Sequence, residues 1–369
     1  MRFTHPTSGG SAPETRSTAQ TPSSSPTAVG FRAVPGPNVP FPPMEAQLVK
    51  ELPATNGWQF EPKWDGFRGI LENDGGEIAL WSRNGRPLLR YFPELRPLGE
   101  LLPPQSALDG EIVIARDGVL DFDSMQMRLH PAASRVRKLS AEIPADFIVF
   151  DLLLWKGKPV HEQPLEKRRA ELERVLGDDF HLSPTTGDAA DAQKWLDSFE
   201  AAGLDGVIAK KLGLPYLPGS RDGVLKVKPY KTADCVIVGV RWKEKPTRIA
   251  TLLLGLYGDD GKVDYVGSAA VAASRHKEIF DRIEPLLKGA PDRGFSEPNR
   301  WGTGELQESA VRPELVAEVR YDKVQGNRFR HGSRFIRFRD DKDPQQCTWR
   351  EVRPPRRKDD PTFESLLAS

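Results

Sequence analysis

Residues Asp146 to Leu154 read Asp-Phe-Ile-Val-Phe-Asp-Leu-Leu-Leu, an apolar run that suits a strand buried on both faces. Such a strand needs neighbours to pair with and layers to cover it. The flanking sequence offers both. Trp58-Gln59-Phe60, Gly69 to Glu72, Glu77 to Trp81 and Ser106 to Ile114 are strand-like, and Asn73-Asp74-Gly75-Gly76 supplies a hairpin between the second and third. Helical spacing runs from Pro164 to Leu176, through Leu165, Arg169, Leu172 and Val175, and from Asp191 to Ala202, through Trp195, Leu196 and Phe199. Gly206 to Ala209 and Gly223 to Val227 are further short strands.

Near Thr232 the pattern changes. Cys235 to Val240, Thr251 to Tyr257, Val263 to Ser268 and Leu315 to Tyr321 read as strands, with a second hairpin at Gly258-Asp259-Asp260-Gly261 and one helix-like piece from Arg275 to Leu287. Several short strands with one helix suit a small barrel of the OB type. The expected organisation is a tail over 1–40, a mixed domain over 41–231, the barrel over 232–353 and a second tail over 354–369. The first tail is rich in Ser, Thr, Pro, Gly and Ala and cannot bury enough surface to offset its ordering entropy. The second is basic and proline-rich, then acidic, and ends on Phe363 and Leu366-Leu367; its cluster from Arg353 to Lys358 reads as a solvated tail. No internal repeat or heptad is visible.

Hydrophobic residues make up 38% and charged residues 28% of 369, enough for two packed domains. A net charge of +1 neither requires nor excludes a nucleic-acid partner, so a phosphate-binding face must come from local clustering. The two cysteines, Cys235 and Cys347, are far apart and form no Cys-x-x-Cys, which excludes a sequence-readable zinc site and points to a reducing compartment. No apolar run has membrane length, and the N-terminus lacks a signal pattern. The chain reads as a soluble, cytoplasmic monomer.

The candidate chemistry centres on Glu61-Pro62-Lys63-Trp64-Asp65-Gly66-Phe67-Arg68. A lysine in a Pro/Gly-bracketed turn, between fixed charges of both signs, is placed to act as a nucleophile. An amine attacks phosphorus or carbonyl carbon only when unprotonated and held, with neighbours that shift its pKa or hold the electrophile. No Walker-A loop and no Gly-x-Gly-x-x-Gly appears, so a P-loop does not cradle any phosphate.

Lys-x-Asp-Gly-x-Arg resembles the first motif of the covalent nucleotidyltransferases, the polynucleotide ligases and mRNA capping enzymes. Further segments resemble the later motifs in the same order: Ser82-Arg83-Asn84-Gly85, Asp109-Gly110-Glu111, Phe147 to Asp151, Leu204-Asp205-Gly206-Val207-Ile208-Ala209-Lys210, Leu225-Lys226-Val227-Lys228 and Arg337-Phe338-Arg339-Asp340-Asp341-Lys342. The resemblance covers about Pro42 to Arg353. With Arg90-Tyr91-Phe92-Pro93-Glu94-Leu95 and Gly326-Asn327-Arg328-Phe329-Arg330-His331, the pattern looks like the small ATP-dependent bacterial DNA ligases of the C type.

The resemblance implies an α+β fold: an adenylyltransferase domain of ATP-grasp-like type with antiparallel sheets and helices, followed by an OB-fold barrel. It implies that Lys63, with Asp65, Lys226 and Lys228, carries AMP transfer, the last two gripping the α-phosphate from one strand face. Glu61, Arg68, Arg83, Glu111 and Phe150 would hold the nucleotide, with Phe150 and Glu61 as stacking face and hydrogen-bonding wall. Arg337, Arg339 and Lys342 would orient the triphosphate. Glu111 and Asp205 would serve Mg²⁺ or Mn²⁺ as oxygen ligands. The fourth motif usually begins with Glu; Asp205 keeps the charge on a shorter arm, as in the C-type ligases. Taken singly, Phe150 is an ordinary core aromatic, Glu111 a solvated strand residue and Lys210-Lys211 a solvated pair. The implied substrates are ATP and nicked duplex DNA, and the implied partners are repair proteins such as an end-binding protein or a repair polymerase. The rivals are an RNA ligase or guanylyltransferase, and a nucleic-acid-binding module with an inactive site. A loop from Lys243 to Arg248 is a candidate DNA holder.

Overall fold

The computed structural model describes residues 36, 38–243, 248–288, 307–330, 332–353, 355 and 357–368. Within 189–202, side chains 199 and 200 are left aside. The interior of the 243–248 loop and His331 therefore lie outside the described residues.

In chain order the first part contains β1 (Gln47–Val49), β2 (Trp58–Pro62), β3 (Phe67–Asn73), β4 (Ile78–Ser82), α1 (Arg96–Leu101), β5 (Ser106–Val113), the two-residue strands β6 (Ala115–Arg116) and β7 (Val119–Leu120), α2 (Phe122–Arg128), α3 (Ala133–Glu142), β8 (Asp146–Trp155), β9 (Lys158–Pro159), α4 (Leu165–Val175), β10 (His181–Leu182), α5 (Ala189–Ala202), β11 (Val207–Lys211) and β12 (Val224–Val227). These build two sheets. One has the order β1-β12-β11-β2, the other β10-β8-β5-β3-β4 with β9 beside β8.

The apolar run expected to be buried on both faces is β8, where Phe147, Ile148, Val149, Leu152 and Leu153 are at most 1% exposed. It pairs antiparallel with β5, and the hairpin β3–β4 turns at 73–78 as the Asn-Asp-Gly-Gly signal requires. Two glycines let the sheets meet around Lys63. A Cβ on Gly66 would stand 2.0 Å from the Ile112 carbonyl oxygen on β5. Gly206 sits at φ +124, and a Cβ there would stand 2.0 Å from the Val227 carbonyl oxygen on β12.

From Lys231 the chain changes character. Strands β13 (Lys231–Trp242), β14 (Ile249–Tyr257) and β15 (Val263–Ala270) precede α6 (His276–Ile283); β16 (Glu308–Ala310), β17 (Val316–Tyr321), the small hairpin β18 (Val324–Gln325) and β19 (Arg328–Phe329), and β20 (Ser333–Phe338) follow. Strands β13, β14, β15, β20 and β17 pair in turn, and β17 pairs back with β13, so the sheet closes into a ring with β16 on the outside of β13. Its interior is lined by β13 and β14 residues such as Val236, Ile237, Leu252 and Leu254, all 0% exposed, and it holds both free thiols, Cys235 and Cys347.

Two expectations change. The helix-like piece from Arg275 to Leu287 is α-helical only over α6; a 3-10 turn precedes it at Ala273–Arg275 and another follows at Glu284–Leu286, where Pro285 has no N–H for an α-helical bond. The end of the chain is not a free tail. It forms α7 (Phe363–Leu367), which packs on the first part of the chain, with Phe363 and Leu366 in a cluster beside Trp64. Among the described residues no helix is long and apolar enough to cross a membrane.

Candidate active site

Lys63 follows β2 directly, and Asp205 precedes β11. The two turns are tied by the backbone: Lys63 N donates to Gly206 O at 2.9 Å and Asp205 N donates to Lys63 O at 2.8 Å. This places Lys63 Nζ 2.5 Å from Asp205 Oδ2, and Lys228 Nζ 2.8 Å from the same oxygen. The nucleophile candidate thus opens on a cleft of about 630 Å³, lined by Glu61, Arg68, Arg83, Glu111, Phe150, Lys210, Lys226 and Arg330 among others.

The charges of the cleft are unevenly matched. Burial pushes the Lys63 ammonium down, but Asp205, Glu111 and Asp65 outweigh it and hold its pKa above the ordinary value. Proximity to these carboxylates therefore keeps this lysine protonated in the ligand-free protein. Burial raises Asp205 too, yet Lys63 and Lys228 overcome it and keep the carboxylate ionised. Lys226 is lowered by burial and by the like charges of Lys63 and Lys228. Glu111 is raised to about 7, first by burial, with Lys63 and Arg68 opposing. No described residue hydrogen-bonds or ion-pairs with its carboxylate. A carboxyl on the cleft with no described partner fits an oxygen ligand for a hard cation. Among the described residues no group of three or more His, Cys, Asp or Glu side chains is placed to hold a metal ion. Asp205, engaged by two ammonium groups, fits that role less well.

The wall of the cleft is built around Phe150. Lys210 Nζ lies 4.6 Å from its ring centroid and donates to its carbonyl oxygen at 3.1 Å, while the Arg68 guanidinium lies 5.4 Å from the ring. Lys210 also pairs with Glu61 Oε1 at 2.6 Å. Glu61 Oε2 is buried with no hydrogen-bond partner, an acceptor left over inside the cleft. Burial raises the Glu61 pKa.

Arg68 acts as a clamp: Nε and Nη2 donate to Asp109 at 2.9 and 2.5 Å, Nη1 to the Met44 carbonyl, and Nη2 to Tyr216 Oη at 3.1 Å. Tyr216 Oη donates to Asp109 Oδ2 at 2.7 Å. Arg83 is exposed at the rim.

Asp65 turns the other way. Its carboxylate is met by Lys323 and, at 3.5 Å, by Arg330, which flank the small β18–β19 hairpin between two strands of the ring. The hairpin between them rests on α2, where Gly326 N donates to Asp123 Oδ2 at 2.8 Å. The structure does not bring Arg337, Arg339 and Lys342 into the cleft. Arg337 pairs with Glu318 at 2.7 Å, Arg339 with Asp234 and Asp341 at 2.8 Å each, and Lys342 with Asp234 at 2.9 Å and Glu351 at 2.6 Å. Sequence reading missed Lys323, Arg330, Tyr216 and the buried Arg168–Asp151 pair, whose atoms lie 2.8 and 3.0 Å apart. Each lies far in sequence from its partner, so no local spacing signals it.

Residues 43–228 match the family model for the ATP dependent DNA ligase domain, and residues 245–342 match that for the ATP dependent DNA ligase C terminal region. DNA ligase C2 of Mycolicibacterium smegmatis is 44% identical over 340 residues, covering 86% of this chain and 95% of that one. The multifunctional non-homologous end joining protein LigD of Pseudomonas aeruginosa is 32% identical over 318 residues, covering 83% of this chain and 36% of that one. A solved structure of mycobacterial DNA ligase D complexed with ATP and MES is 30% identical, with TM-score 0.46, and covers 84% of this chain and 98% of that one.

Proposed function

This chain belongs to the ATP-dependent DNA ligases, and we propose that it seals nicks in duplex DNA through AMP carried on Lys63. The observation that carries the assignment to Lys63 is its backbone, fixed by two bonds to the Asp205–Gly206 turn, with its Nζ on Asp205 at the edge of a cleft that also holds the unpartnered acceptor Glu61 Oε2 and the Glu111 carboxyl, which has no hydrogen-bond or ion-pair partner among the described residues.

In the first step a N–P bond forms between Lys63 Nζ and the α-phosphorus of ATP, and pyrophosphate leaves. The ammonium must first lose a proton, and Asp205 Oδ2 at 2.5 Å is in place to receive it. Lys226 and Lys228 flank the position of the α-phosphate. Phe150 offers a stacking face, and Glu61 Oε2 accepts from the exocyclic amine of adenine. Glu111 would hold Mg²⁺ or Mn²⁺, which supplies positive charge where the leaving pyrophosphate develops negative charge. AMP then passes to a 5′-phosphate, and the 3′-hydroxyl attacks that phosphate and displaces AMP. The ring is read as an OB-type module that changes its position between steps and grips duplex phosphates, so sealing falls as salt rises. The proposal includes work beside an end-binding protein or a repair polymerase, in the cytoplasm on nucleoid DNA; the end-joining relative supports the repair part of it.

Incubation with Mg²⁺ and α-labelled ATP, followed by a chase with nicked duplex, tests this. Label appears on the protein, moves to the DNA end and leaves as AMP while the nick closes. A protein that takes no label refutes the Lys63 chemistry. Label that stays on the protein points to RNA ends. GTP competing as well as ATP moves the reading to a guanylyltransferase, which the buried acceptor of Glu61 argues against because guanine presents a carbonyl where adenine has its amine.

A further inference from the structure

The last turn of the chain reaches the base of the nucleophile. Phe363 N donates to Gly118 O at 2.8 Å, and a reciprocal cap between Thr362 and Ser365 fixes the start of α7, with bonds of 2.9 and 3.2 Å. Phe363 is 5% and Leu366 4% exposed. Both enter an apolar cluster with Trp64, Leu120, Ile148 and Leu204.

Two members of that cluster matter for chemistry. Trp64 follows Lys63 in the chain, and its ring meets the Phe363 ring edge-on at 6.0 Å. Leu204 precedes Asp205, the ion partner of Lys63. Trp64 and Leu204 are 4% and 3% exposed, so both lie inside the cluster that Phe363 and Leu366 help to fill. Trp64 has one polar tether, Nε1 donating to Ser183 Oγ at 3.0 Å. The apolar floor under both halves of the Lys63–Asp205 pair is thus completed by residues about 300 positions from Trp64 and about 160 from Leu204 in sequence.

We infer that Phe363 and Leu366 are positioning residues for Lys63: they hold Trp64 and Leu204, and through them the nucleophile and its counter-ion. This rests on the ligase reading of Lys63. Trimming Phe363 leaves a void that Trp64 relaxes into, and a shift of about 1 Å at a reacting atom is enough to cost up to roughly 10²-fold in rate.

The inference predicts a split between steps. Lys63 supplies the attacking nitrogen only when the protein takes AMP from ATP; in the final joining the attacking atom is the 3′-hydroxyl. Full-length Phe363→Ala should form adduct about tenfold more slowly at saturating ATP, with KM for ATP little changed, while sealing of a chemically pre-adenylylated nick stays within about twofold of the parent. Phe363→Leu should restore most of the adduct rate. Equal loss in both reactions would make α7 a general support of the domain, and an unchanged adduct rate would make it only an anchor for the ring; either overturns the inference. If Phe363→Ala does not fold by circular dichroism, Leu366→Ala, a smaller truncation in the same cluster, carries the same test. Failure of the ligase reading looks different, because the parent protein then takes no label at all.

Discussion

Two groups of cations in this molecule are candidates for meeting phosphate, and they stand in opposite electrostatic states. Around Lys63 the matching is incomplete: Glu61 Oε2 has no donor, the Glu111 carboxyl no described partner, and Lys226 is lowered by the like charges beside it. On the ring the matching is complete, with Arg337, Arg339 and Lys342 each held by at least one carboxylate. Unmet polar groups in a concave site cost free energy until a ligand completes them, whereas saturated pairs gain little from a new phosphate unless they first let go. The cleft is therefore organised for a ligand in the arrangement seen here, and the ring cations are not. Bringing them to a triphosphate needs the ring to move and its ion pairs to exchange.

The sharpest way to break this contrast is Lys63→Ala, which should abolish labelling by α-labelled ATP; label that persists would move the chemistry out of the cleft. Glu111→Gln comes next, with about 10²-fold slower adduct formation. Its pH profile gives an independent reading. Burial favours the protonated acid, so the carboxylate needed for a metal is lost as pH falls through about 7, and adduct formation by the parent should fall with it. The glutamine variant should lack that limb. The same shift has the opposite sign for folding: the folded protein binds a proton that the unfolded chain releases between the ordinary carboxylate range and about 7. The cost of burying Glu111 is therefore absent at low pH and fully present above about 7, and urea titration should show Glu111→Gln gaining on the parent only there.

On the ring the effects should appear as stability. Asp234→Asn takes a mostly buried carboxylate from both Arg339 and Lys342 and should cost about 2–3 kcal/mol by urea titration. Arg337→Ala removes an exposed cation and should cost less than about 1 kcal/mol. If both ring variants instead left stability untouched and stopped adduct formation as Lys63→Ala does, the ring cations would belong to the cleft after all, and the contrast would fail.

Many of the strands were legible because their signals are local. The apolar run of β8, the Asn-Asp-Gly-Gly turn after β3 and the heptad-free alternation beyond Thr232 each report on a few adjacent residues, and each strand lies where that pattern puts it. Short helices were not: α2 has seven residues, too few to show a period. The charged residues next to Lys63 were found, but their effect on it was not. Asp65 lies two positions from Lys63 and faces the ring, while Asp205, 142 positions away, makes the contact.

The sequence alone determined which groups are available to the chemistry and, through motif order, which family the chain joins. The lysine proposed as nucleophile, the lysines proposed to grip phosphate and the carboxylates proposed to hold a metal were all named from residue type and motif order. Only the tertiary structure decided which of these groups meet and in what charge state. Ion pairing and desolvation depend on distances of a few ångströms between residues that the chain separates widely, as with Lys63 and Asp205 or Glu61 and Lys210. The same holds for the end of the chain, where two apolar residues in a polar stretch read as a tail until the fold supplied Trp64 and Leu204 for them to cover.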